Sequence, residues 1–83
     1  MERQQENRMA LTRLKSGQTG TVVDILGGRS IHDRLYALGI HRGKKVTKVS
    51  SMYLHGPVVV DLQHSKIALG FNLADKVVVE VEH

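Results

Sequence analysis

Five histidines, His32, His41, His55, His64 and His83, are the side chains in this sequence most able to do chemistry. Imidazole is the commonest protein ligand for transition metals. His32, His41, His55 and His64 therefore form a candidate site for Fe2+ or Zn2+. Their spacing works against it. Successive histidines stand nine or more residues apart, with no i, i+4 pair to place two ligands on one helical face. Such a site would need separate turns to converge and an Asp to complete it. The spacing favours exposed loop histidines, and no cofactor is required.

Catalytic chemistry is equally poorly supplied. The chain has no cysteine, no nucleophile motif, no paired-carboxylate spacing and no phosphate-cradling loop ending in Lys-Ser/Thr. Gly27-Gly28 precedes a helix start beside Arg29, but two glycines more often mark the end of a strand. No enzymatic activity is expected.

Binding chemistry is better supplied. Arg29, Arg34, Arg42, Lys44, Lys45 and Lys48 fall within twenty residues, opposed there only by Asp33, and make up half of the 12 Lys and Arg. They suit an acidic protein surface, a phosphate backbone or lipid headgroups, or simply form a solvated face. Met52, Tyr53 and Leu54 are three consecutive large residues beside a turn. Strand neighbours alternate sides, so at least one of them faces water or a partner, and exposed apolar patches often mark interaction sites. Met52, Tyr53, Leu54, Arg34, Arg42 and Lys44 are the expected partner-binding residues.

The elements that position these groups follow from pattern. Residues 1–9 are polar and without period, and read as a flexible tail; 10–82 read as one domain. Thr19 to Leu26 is a strand rich in Thr, Val and Ile, with Val23 and Ile25 on one face and Val22, Asp24 and Leu26 on the other. Ser30 to Leu38 is the one good helix, with Ser30 as N-cap, an apolar stripe of Ile31, Leu35 and Leu38, and Gly39 just past its end. Lys45 to Tyr53 is a second strand whose period fails between Val46 and Val49, predicting a bulge near Lys48. Val58 to Leu62, Ile67 to Leu69 and Lys76 to Val81 complete the strands. Asn72 to Asp75 is a single helical turn capped by Asn72. About five short strands with one inserted helix predict a mainly β fold, a small SH3-like or OB-like barrel.

Composition narrows the function classes. The net charge is +4 over 83 residues, a mild excess, and Tyr36, Tyr53 and Phe71 are the only aromatics besides histidine. Single-strand binders need stacking platforms, so no nucleic acid is expected. No apolar run is long enough to insert in a membrane, and the N-terminus lacks the apolar segment of a signal peptide. The cytoplasm is the expected location. Open strand edges would allow pairing with a second copy, a homo-oligomer.

The residues also come in a familiar order. Leu11-x-x-Leu14-Lys15-x-Gly17-x-x-Gly20-x-Val22-Val23 is followed by Gly27-Gly28 and then Arg34-Leu35-x-x-Leu38-Gly39-Ile40-x-x-Gly43. Gly56-Pro57-Val58-x-Val60, Ile67-Ala68-Leu69-Gly70 and Ala74-x-x-Val77-x-Val79 complete the series. Over about residues 9–81 this resembles the FeoA family of small ferrous iron transport accessory proteins. The resemblance implies an SH3-like barrel with an inserted helix, no enzymatic activity, and a cytosolic role beside FeoB, the ferrous iron permease that carries a G-protein domain. It implies protein–protein contact as the mechanism and supplies no ligand set for the histidines. Similar domains occur in iron-dependent repressors of the DtxR type, but this sequence carries no helix-turn-helix.

Overall fold

Val77, Val79 and Val81 alternate with half-buried neighbours along the last strand and are all buried. They form one wall of the core. The computed structural model describes residues 7–51 and 55–82; Met52, Tyr53, Leu54 and His83 lie outside them. The described elements are β1 (Arg8–Ala10), a 3-10 helix (Leu11–Arg13), β2 (Thr19–Ile25), α1 (Arg29–Ala37), β3 (Lys45–Ser51), β4 (Val58–Asp61), β5 (Lys66–Leu69), α2 (Phe71–Ala74) and β6 (Val77–Val81).

The fold is mainly β, with an SH3-like character, as the pattern predicts. Two details differ. The described residues form six strands rather than about five, in the order β1-β6-β2-β3-β4-β5, and every recorded pairing is antiparallel. The sheet is an open ladder with β1 and β5 at its ends, not a closed barrel. Side chains close the core instead: Leu11, which opens the 3-10 helix, and Leu14, which follows it, join Leu69 and Ala74 in one buried cluster. The extra strand comes from Arg8 and Met9, assigned to the tail by their polarity, which pair with Glu80 and Val79.

Two bulges decide which residues face inward. The β2–β6 register shifts between Val22 and Asp24, leaving Val23 as the extra residue. A one-residue insertion reverses the alternation. Val22 and Ile25 are therefore both buried, contrary to the simple alternation that separates them. The β3–β4 register shifts between Lys48 and Ser50, where the sequence predicts it. Val49 is the residue displaced outward, and Lys48 stays on the inward face with Val46.

Helix α1 is capped two residues earlier than expected. Its N-cap is Gly28, with no side-chain cap hydrogen bond, so Ser30 lies inside the helix. Its end is a Schellman arrangement: Gly39 (φ +93°) donates its N–H to Tyr36 O (2.9 Å) and Ile40 donates to Leu35 O (2.8 Å), a turn that favours glycine. This reversal buries Ile40 and leaves Leu38, expected on the apolar stripe, exposed. Leu35 is fully buried and Ile31 packs at the core edge. The short α2 is capped by Gly70 rather than Asn72.

Candidate functional site

Helix α1 advances 100° per residue, so Ile31 and Arg34 lie on one flank and His32, Asp33 and Tyr36 on the other. A hollow opens on each flank. The first, about 490 Å³, is lined by Ile31, Arg34, His55, Phe71, Leu73 and Lys76, with Gly70 and Asn72 at α2. The second, about 420 Å³, is lined by Ile25, His32, Asp33, Tyr36, Ile40, His41 and Arg42.

The expected partner residues are thus divided. Arg34 lines the first hollow. Arg42 lines the second, where its Nη2 lies 3.2 Å from Asp24 Oδ1 in an exposed ion pair. Lys44 is half-buried, and its backbone extends the β2–β3 ladder: Lys44 O accepts from the Val22 N–H (2.9 Å) and Lys44 N donates to His41 O (3.0 Å). Met52, Tyr53 and Leu54 lie outside the described residues.

The histidines are likewise distributed. His32 and His41 share the second hollow. His55 stacks on Phe71 at the first, with ring centroids 4.3 Å apart and planes inclined by 22°. His64 stands in the exposed turn between β4 and β5. The His41 Nδ1 lies 3.0 Å from the Arg42 carbonyl. A carbonyl only accepts, so the bonded tautomer carries its proton on Nδ1 and leaves Nε2 available. Among the described residues no three His, Asp or Glu side chains gather into a metal-holding group.

Two titratable groups depart from their ordinary behaviour. The Ile25 N–H (2.8 Å) and then the Arg42 guanidinium hold the Asp24 carboxyl below the usual carboxylate value. Burial lowers the Lys48 pKa. Lys48, one of the expected cationic cluster, is turned away from any partner: its Nζ donates to Thr12 O (2.9 Å) and Leu14 O (2.8 Å). It ties the segment after β1 to the middle of β3. Ordinary alternation carries the signal, because Lys48, two residues from Val46, falls on the same inward face.

The first hollow includes three residues that sequence reasoning passed over as functional: Phe71, Leu73 and Lys76. The available signal is weak, a cation one turn after an apolar helical segment. Among the described residues no helix is long and apolar enough to cross a membrane.

Comparison with known proteins follows the same outline. Residues 9–81 match the family model described as FeoA domain. A Methanocaldococcus jannaschii protein named for Fe(2+) transport, transport protein A, is 35% identical over 66 residues, spanning 80% of this chain and 78% of its own length. The crystal structure of an iron uptake regulatory protein (FeoA) superposes with a TM-score of 0.83 at 29% identity, covering 90% of this chain and 97% of that one. A manganese-dependent transcriptional repressor shares the fold with a TM-score of 0.82 at 20% identity, over 90% of this chain and 42% of the repressor.

Proposed function

The chain belongs to the FeoA family of ferrous iron transport accessory proteins, and on that premise we propose that it is a non-enzymatic cytoplasmic partner of a FeoB-type ferrous iron permease. It binds the cytosolic part of the permease by protein–protein contact, with ferrous iron as the permease's cargo rather than its own. The observation that carries this reading is the family match over residues 9–81. The site chemistry supports it: two solvent-open hollows beside one helix, rimmed by cations, suit a contact surface better than a reaction centre.

The test is direct. The immobilised chain is exposed to the purified cytosolic part of the permease, with and without guanine nucleotide, beside a charge-matched control protein. Retention above the control supports the reading. Equal retention, or none in any nucleotide state, removes it.

A second reading, a small transition-metal binder, rests on His32 and His41 sharing one hollow. Calorimetric titration with Zn2+ or with Fe2+ under anaerobic conditions decides it. Tight binding lost in His32→Ala and His41→Ala would establish it; absence of tight binding would dismiss it.

A further inference from the structure

We propose that the hollow between α1 and α2 is a docking site for an acidic, leucine-bearing peptide segment of the protein partner, held by Arg34 and Lys76. The inference rests on reading the chain as a protein-binding module and adds the chemistry of what it binds. Arg34 and Lys76 both line this hollow, and neither side chain makes an ion pair or hydrogen bond among the described residues. Among the described residues no carboxylate lines the hollow with them. Asp33 lines the opposite flank of α1. The Asp75 carboxylate, next to Lys76, is taken by the Thr12 hydroxyl at 2.8 Å. Two cations therefore stand on a hollow whose described lining carries no acid, in a chain where Arg42 and Lys45 each have a carboxylate partner. Charge complementarity calls for an anionic occupant.

The floor sets its second property. Ile31 and Leu73 pack against the core from this side, and the His55–Phe71 stack adds an aromatic wall. At about 490 Å³ the hollow lies within the ordinary range of ligand pockets, about 300–1,000 Å³, and is far larger than an inorganic anion fills. An occupant that meets both the floor and the rim carries a branched apolar side chain flanked by carboxylates. Asn72 at the lip can donate to a peptide carbonyl.

The experiment uses the full chain and a dye-labelled, blocked peptide of sequence DDLDEL, read by fluorescence anisotropy, with NNLNQL as neutral control. Binding of the acidic peptide is expected, weakening as salt is raised, with little binding of the neutral one. Arg34→Glu/Lys76→Glu is expected to weaken it by roughly tenfold or more. Arg34→Lys/Lys76→Arg should largely retain it, as should the charge-matched Lys15→Glu/Lys66→Glu. Circular dichroism confirms that each variant is folded. Equal binding of both peptides, no binding of either, or indifference to Arg34→Glu/Lys76→Glu would overturn the inference. So would binding to phosphatidylglycerol vesicles without binding to the acidic peptide, which would make the hollow a lipid site. The permease assay separates this inference from the function proposed above. If the permease binds wild type and Arg34→Glu/Lys76→Glu equally and the peptide does not bind, only the inference fails. If the permease does not bind but the peptide binds through Arg34 and Lys76, only the permease assignment fails.

Discussion

Replacing Lys48 by methionine keeps most of the aliphatic stem in place and removes the ammonium. Two carbonyls then lose their donor. Leu14 O is buried beside the ammonium, whereas Thr12 O is only partly buried, and no backbone N–H donates to either among the described contacts. Stranding a buried acceptor costs about 1–3 kcal/mol, and losing a bond that water can replace about 0.5–1.5 kcal/mol. Relief of the buried charge, visible in the lowered Lys48 pKa, returns a part of this. The net expectation is a loss of about 2–3 kcal/mol. A chain of 83 residues has a total stability on the order of 4–12 kcal/mol, so the loss is substantial. It corresponds to a fall in Tm of roughly 10–20 °C. Thermal unfolding followed by far-ultraviolet circular dichroism measures it, with Lys48→Gln, able to reach only one carbonyl well, expected between wild type and Lys48→Met. A Lys48→Met protein as stable as wild type would show that water or a shift of the 3-10 segment satisfies Leu14 O, and would refute the view of Lys48 as a structural tie.

Further tests address the backbone, the sheet and the acid limb. Gly39→Ala is expected to cost about 1 kcal/mol through its left-handed φ, with a Cβ that would also press to 3.3 Å from Leu62 Cδ1; urea unfolding reads the shift. Gly20→Ala would place a Cβ 3.0 Å from two Val79 side-chain carbons and 3.2 Å from Glu80 O. It should cost about 1–3 kcal/mol by overpacking the β2–β6 contact, checked in the same assay. The folded Asp24 pKa lies below the unfolded value of 3.8, so its stabilising contribution is complete above 3.8 and disappears as pH falls through the folded pKa. Urea midpoints of wild type and Asp24→Asn should therefore differ at neutral pH and converge below pH 3.8; a constant gap would contradict the assignment.

Much of this architecture is legible in residue order. Gly39 marks the end of α1 because a left-handed turn there favours glycine, and the broken period of β3 marks its bulge. Other features are set by tertiary pairing. Nothing in the run from Thr19 to Leu26 announces that Val23 is the bulged residue, since the shift exists only against β6. Ser30 is a better intrinsic cap than Gly28, yet the chain leaving β2 enters the helix earlier. Leu38 fits the helical stripe, but the reversal at Gly39 gives its place in the core to Ile40. The site is less legible than the fold. The cationic cluster reads as one face in sequence, whereas folding separates Arg34 from Arg42, pairs Arg42 with Asp24 and turns Lys48 inward. The two hollows join residues distant in sequence, and periodicity does not register such neighbours.

The position of β6 between β1 and β2 has a consequence for biosynthesis. Of the described strands the last to be synthesised lies between two others, so β1 and one edge of β2 wait for it with their hydrogen-bonding groups unpaired. From Thr19 to Val77 is roughly sixty residues, about 3–12 s of synthesis at ~5–20 residues per second. During that time Val22 and Ile25 lack the strand that covers them. A nascent chain stalled before Val77 therefore displays an unpaired β edge open to pairing with another chain.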